Sequence, residues 1–505
     1  MIGSGFSGIG AGIKLKEAGI DDFVILEKED NVGGTWRDNT YPGIAVDIPS
    51  FSYQYSFELN PSWSRVFAKG AEVQAYAEHC ASKYGLHDHL RFGTRVEEAA
   101  FDEAGHFWRL SLGGGRQLSA RFLITALGAL TQPKAPDIPG VEDFAGKTVH
   151  TARWDHDHDL TGERVAVIGT GATAVQLIPK IADQVKQLDV YQRTPIWVMP
   201  KPDYKIGGPL RSIFRRVPFV QDSIRLGAAA LVEGVMVLGV MYNRQLPRLT
   251  KGIEARGRQF IKQEIPDPVL REKLTPQYGF GCKRPTMSNN YFKTFLRDNT
   301  ELITDPIARI TPTGIVTQSG QEREIDTLVL ATGYLVTDEG NAPSIPIYGR
   351  DGFDLRSFWR DHRFQAYEGI THPKLPNLFN MFGPYSFTGS SWFFMVETQA
   401  HHAIRVIKET RKRQATMVEI GQEPHDRFFQ NVLKRQRNTI FFNNNCGTSN
   451  SYYFDRHGDA PFLRPATAVE TWWSSRTFNL DDYQYDALAP ASVEDSSDSS
   501  RLQAA

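Results

Sequence analysis

"RVAVIGTGATAVQLIPKIADQ", Arg164 to Gln184, with "QLDVYQRT", Gln187 to Thr194, reads as one unit of strand, glycine turn, helix and strand. Val165 to Ile168 is an unbroken apolar run, as a strand buried on both faces requires. Gly169, Gly171 and Ala174 then follow the pattern G-x-G-x-x-G/A. The first position makes the tight turn, the second admits a pyrophosphate to the backbone, and the third lets helix and strand pack closely. The next strand ends at Arg193, with no acid there. A cation in that place suits the 2′-phosphate of NADP, and the plain alternative is a solvated strand end.

The same grammar opens the chain in "MIGSGFSGIGAGIKLKEAGIDDFVILEKED", Met1 to Asp30. Gly3, Gly5 and Gly8 form the turn, with an ordinary loop as the plain alternative. "FVILE", Phe23 to Glu27, ends in an acid about twenty residues further on, where a carboxylate binds ribose hydroxyls. Helix amides after the glycines hold phosphate. Only Met1 and Ile2 precede Gly3, so this first strand is expected to be clipped. Whether the native chain begins upstream stays open.

Two such units give the fold class: α/β, with two doubly wound, Rossmann-like dinucleotide-binding domains and a helical insertion in the second. "RFLITALGAL" (Arg121 to Leu130) and "DTLVLATGYL" (Asp326 to Leu335) are buried strands ending in small-residue turns, where the chain passes between domains. The expected boundaries are 1–140 with 335–455 for FAD and 141–334 for NADP. A helix-rich, basic stretch at 203–278 is the insertion, able to cover a substrate site. Residues 456–488 form a C-terminal extension, and the polar, acidic 489–505 a disordered tail.

At 505 residues the chain is too long for one core. Its net charge of −1 offers no strong attraction to nucleic acid or to an anionic membrane. Cys80, Cys282 and Cys446 are far apart in sequence, so neither a disulfide framework nor a C-x-x-C pair is expected. That fits a reducing, cytoplasmic setting, as does the lack of a basic region followed by an apolar core at the N-terminus. "LGAAALVEGVMVLGVMY", Leu226 to Tyr242, is short for a membrane span and carries Glu233, so a buried helix is expected and no stable membrane span. The oligomeric state is not legible.

FAD in the first domain and NADPH in the second imply hydride transfer from nicotinamide to flavin. A disulfide reductase would need paired cysteines near the flavin. Oxygen is the remaining common acceptor.

At this point the chain resembles the class B flavin monooxygenases, and within them the type I Baeyer–Villiger monooxygenases. Phe144, Gly146, His150, Trp154 and Asp155 match the family fingerprint F-x-G-x-x-x-H-x-x-x-W-[P/D], just ahead of the second glycine turn. Gly33, Gly34, Trp36, Tyr41, Pro42, Gly43 and Asp47 meet a second family pattern in full. The resemblance runs from Gly3 to about Asp455. It implies oxygen insertion beside a ketone carbonyl through a C4a-peroxyflavin, giving an ester or lactone from O2 and a small apolar ketone. NADP stays bound and shields that species from water.

By the same resemblance Arg284, in "GFGCKRPTMSNNYF", is the catalytic arginine and Asp47 sets its position. A permanently charged, forked donor suits an oxygen that turns negative. Lys283 joins Arg193 and Thr194 at the 2′-phosphate. Gly34, Thr35 and Trp36 are expected along FAD, with Tyr53 and Val96 nearby. Thr170, Gly171, Ala172 and Gln176 are expected to line the NADP pyrophosphate. His150 and Trp154 couple domain movement to cofactor binding and carry no oxygen chemistry. The "HDHD" after them, His156 to Asp159, reads as a solvated turn in preference to a metal site.

The chain departs from the family at Ala126-Leu127-Gly128, where A-T-G is usual, and at Tyr452 or Tyr453, where several members carry a tryptophan over NADP. Phe387, Trp392, Phe393 and Phe394 read equally as an apolar pocket or as core. N- or S-oxygenation through the same chemistry is one alternative function. An FAD-binding protein with degraded catalysis is another.

Overall fold

The computed structural model describes residues 1–338, 341–389 and 391–488. The expectation for the 489–505 tail lies outside them.

The first doubly wound sheet has five parallel members, and its centre is the shortest. Ile25–Leu26 pairs with Leu90–Arg91, and Leu123–Thr125 with Leu378–Asn380. Ile2 joins the two pairs, bridging Leu26 on one side and Thr125 on the other. Its neighbours complete the ladder: Gly3 N–H donates to Leu26 O at 2.8 Å, and Ala126 N–H to Ile2 O at 2.8 Å. Met1 and Ile2 are both buried at this centre. Burial lowers the Met1 ammonium to about pKa 5, and it donates to Val24 O.

Helix α1 (Phe6–Glu17) follows the first turn with Ile9, Ile13 and Leu15 against the core. The second sheet runs Thr300–Ile303, Gln187–Tyr191, Arg164–Ile168, Thr327–Leu330, Lys147–His150, all parallel. Its first helix, α2 (Ala172–Ile181), buries Ala174, Val175, Leu177, Ile178 and Ile181. An antiparallel meander, Val96–Asp102, Phe107–Leu112 and Arg116–Ala120, is attached to the first domain.

The insertion is helical: α3 (Gly208–Arg216), α4 (Pro218–Val235) and α5 (Pro247–Glu264), with a π turn Met236–Met241 after α4. The buried helix expected from Leu226 to Tyr242 is not found. Leu226, Leu231, Val235, Leu238 and Tyr242 are exposed. By length and composition, Pro218–Met241 could cross a membrane. Apolar composition marked this helix correctly, but composition does not say which way a face points.

In the C-terminal part, α6 (Trp392–Lys412) lies across α1. Gly10 makes this approach possible, since a Cβ there would fall 2.6 Å from Val396 Cγ1. Beyond it, α7 (Ala468–Thr477) packs on α6, and Tyr483–Asp486 pairs antiparallel with Met417–Ile420.

The cysteines also depart from expectation. Cys282 and Cys446 form a disulfide across 164 residues of sequence, while Cys80 is free and buried. Wide spacing in sequence misled because the fold lays the two loops together: Gly279 N–H donates to Asn445 O at 2.9 Å. Cysteine usage therefore no longer argues for a reducing compartment.

Candidate active site between two dinucleotide cradles

Each glycine turn is built for a close approach. Gly3 has φ +99°, and a Cβ there would stand 2.5 Å from Ala126 O. At Gly8 a Cβ would meet Gly3 O at 1.9 Å. Gly5 faces the backbone of Gly34, so the two family motifs meet at a pair of glycines. Glu27 is buried beside this turn, accepting from Ser4 N–H at 2.9 Å, from Ser4 Oγ at 2.8 Å and from Glu29 N–H at 3.1 Å. Arg37 Nη1 stands 3.4 Å away. These contacts fix the carboxylate at the strand end beside the turn.

Gly34, at φ +55°, precedes the short helix Thr35–Asp38. Trp36 Nε1 donates to Tyr53 Oη at 2.9 Å. Val96 begins the meander two residues after Thr94, whose N–H donates to Glu27 O at 2.8 Å. The first cradle therefore brings together Gly3, Gly5, Gly8, Glu27, Gly34, Trp36 and Tyr53 from separate segments.

At the second turn Gly169 has φ +115° and would clash with Ala331 O at 2.5 Å. A Cβ on Gly171, by contrast, would meet nothing within 4 Å. That is open space at the N-terminus of α2, where a pyrophosphate fits. Thr170 Oγ1 donates to Thr194 O at 2.9 Å, which holds the end of the next strand against the turn. Arg193 is exposed there. Burial, with the nearby Arg193 cation, pulls Lys283 down to about pKa 8. Asn450 Nδ2 donates to Thr194 Oγ1 at 2.8 Å, tying the Tyr452 loop to the same corner.

Gln176, on α2, is hydrogen-bonded to the other domain. Its Oε1 accepts from Tyr41 Oη at 2.9 Å and from Ala45 N–H at 3.3 Å, and its Nε2 donates to Ala45 O at 2.9 Å. It locks α2 to the 41–45 segment of the other domain. Gly43 belongs to the same seam: at φ +91°, its Cβ would be 2.5 Å from Gln176 O.

Arg284 and Asp47 form a forked pair, Nε to Oδ2 at 2.7 Å and Nη2 to Oδ1 at 2.8 Å. Both side chains keep about a third of their surface exposed. Burial acts to raise the Asp47 pKa, but Arg284 outweighs it and holds the carboxyl below its ordinary value. Asp47 in turn drives Arg284 well above the usual arginine range. Lys201 lies on the same side, its Nζ 3.4 Å from Val46 O. Tyr452 and Tyr453 stand within electrostatic reach of Arg284.

The fingerprint residues run along the second sheet toward the first domain. Phe144 is core, and Gly146 is small because a Cβ would meet Asp326 O at 2.4 Å. His150 Nδ1 accepts from Ala152 N–H at 3.1 Å, and its Nε2 lies 3.3 Å from Thr332 Oγ1. Burial lowers its pKa, so the ring is neutral. Trp154 packs against the second domain's core, and Asp155 pairs with Lys147. Arg153 and His156 reach over to Asp38 and Thr40 of the first domain. In the "HDHD" run, His158 is 2.9 Å from Thr327 Oγ1 and Asp159 accepts from Thr161.

The aromatic run divides. Phe393 is core, against Phe6, Tyr53 and Tyr55. Trp392 Nε1 donates to Ser7 Oγ at 3.2 Å, beside the first glycine turn. Ser4, Arg37, Lys201 and Asn450 went unremarked in the sequence, where only Ser4, inside the first glycine motif, had a local signal.

A family model described as pyridine nucleotide-disulphide oxidoreductase matches residues 1–248. A Baeyer–Villiger monooxygenase of Pseudomonas aeruginosa is 42% identical over 439 residues, 86% of this chain and 82% of that protein. One from Streptomyces coelicolor is 37% identical over 495 residues, 98% of this chain and 93% of its own length. Among solved structures, OTEMO in complex with FAD and NADP is 28% identical with a TM-score of 0.83, covering 96% of this chain and 98% of that one. Cyclohexanone monooxygenase from Rhodococcus sp. Phi1 bound to NADP+ gives a TM-score of 0.85 at 26% identity over the same shares.

Proposed function

The chain belongs to the Baeyer–Villiger monooxygenases, and from that premise we propose how its residues divide the work. It is a flavoprotein oxidoreductase that uses FAD and NADPH to insert one oxygen atom of O2 beside a ketone carbonyl, giving an ester or lactone. Bound FAD and NADPH supply the redox chemistry that activates dioxygen.

We assign 1–140 with 335–455 to FAD and 141–334 to NADP. The N-terminus of α1 and the Glu27 carboxylate hold the first dinucleotide by phosphate and ribose. The open space at Gly171, with Arg193, Thr194 and Lys283, takes the pyrophosphate and 2′-phosphate of the second. Arg284 balances the negative charge that grows on oxygen as the carbonyl is attacked. Asp47 fixes the guanidinium through Nε and Nη2, which leaves Nη1 outside the pair. Trp392 and the partly buried Phe387 border an apolar ketone, while Phe393 serves the core.

The forked Arg284–Asp47 pair carries this reading. It is tested by supplying NADPH and air with a mixed panel of ketones and thioethers, and following products by mass. Esters from ketones, lost in Arg284→Ala with flavin still bound, are expected. Sulfoxides without esters would move the enzyme to heteroatom oxygenation.

A further inference from the structure

Helix α4 shows solvent the kind of face that a surface helix ordinarily hides. Ile224, Leu231 and Val235 recur at spacings of seven and four, which is one stripe of an α-helix, and Leu238 follows in the π turn. All four are exposed, Leu231 at 72%, and Phe219 near the helix start at 77%. Other positions pin the helix to the protein. Buried Gln221 donates to Asn60 O at 2.6 Å, and Glu233 accepts from Ala468 N–H at 2.6 Å. Met241, ending the π turn, is buried. The helix thus lies along the molecule with its apolar stripe outward.

Charge around the stripe is one-sided. Between Tyr204 and Arg256 nine side chains are basic and three acidic, in a chain whose net charge is −1. The three acids are engaged within the fold: Asp222 with Arg225 at 2.7 Å, Glu254 with Arg258 at 3.1 Å, and Glu233 as above. Arg215, Arg216, Arg244 and Arg248 are exposed and, among the described residues, make no ion pair. An apolar stripe bordered by uncompensated arginines is complementary to an anionic bilayer surface, where the acyl boundary takes the stripe and headgroups take the cations. A second copy of the chain fits worse, because a two-fold interface would set these cations against themselves.

We propose that the α3–α4 surface docks the protein onto an anionic lipid bilayer, lying in the plane of the interface without crossing it. The test is co-sedimentation of the full chain, flavin bound, with vesicles of phosphatidylcholine alone or with about one-third phosphatidylserine. The protein is expected to pellet with the anionic vesicles and to stay in solution with the neutral ones. Affinity is expected to fall at least about tenfold both in Arg215→Glu with Arg216→Glu and in Leu231→Ser with Leu238→Ser. These side chains are exposed, and retained flavin absorbance with an unchanged melting temperature verifies folding. Absence of pelleting with either vesicle overturns the proposal, as does pelleting that both double variants leave intact. A lipid-free dimer that Leu231→Ser with Leu238→Ser converts to monomer assigns the stripe to a second copy, and overturns it too.

Discussion

Arg284 and Asp47 are 237 residues apart in the chain and meet edge to edge through two parallel hydrogen bonds. Removing the charge on Asp47 leaves the guanidinium without its fixed partner. Asp47→Asn is expected to lower kcat by about 10²-fold, the scale of one lost electrostatic contact in an active site. The flavin spectrum should not change. Arg284→Lys should not restore activity, because a point charge cannot replace a fork. Steady-state kinetics with bound flavin verified by absorbance decides it, and an unaltered kcat in Asp47→Asn would make the pair structural.

Lys283 gives a pH prediction. Its pKa is lowered to about 8, by burial first and by Arg193 second. The ammonium is therefore present below that value and lost as pH rises through it. Affinity for a 2′-phosphate should fall in the same window, so the KM for NADPH should climb above about pH 8 while that for NADH stays flat. In Lys283→Met the NADPH curve should be flat as well. A climb that persists in the variant would assign the effect to another group.

His150 is neutral and engaged at both ring nitrogens. Burial lowers its pKa below the ordinary histidine value, which favours the neutral ring. His150→Gln is expected to raise the yield of hydrogen peroxide per NADPH oxidised without moving the pH profile of kcat. A lost limb in that profile would mean that His150 transfers a proton.

Gly43 sits where a side chain has no room. Gly43→Ala forces a Cβ to within 2.5 Å of Gln176 O in a left-handed backbone. A cost of about 1–3 kcal/mol is expected. Thermal unfolding measures it. Gln176→Ala should reproduce part of the same loss, since it opens the same seam.

What could be read in advance was local. The turns at Gly3 and Gly169 are specified by contacts within their own strand–helix units, and so a single sequence reveals them. Arg284 was visible only through its motif, because Asp47 is brought to it by the fold of two domains. Gln176 shows the limit: its place after Gly171 is local, while its partner Tyr41 comes from the other domain and no spacing connects the two. The direction of α4 was illegible for a related reason. Periodicity finds a stripe, and only tertiary packing tells inside from outside. The disulfide needed two loops that no spacing rule connects.

The Cys282–Cys446 bond changes the mechanics of the molecule. Between the two nucleotide-binding halves the backbone crosses twice, once between Pro133 and Lys147 and again between Leu330 and Tyr334. The disulfide adds a further covalent connection, from the Cys446 segment to the core around Cys282.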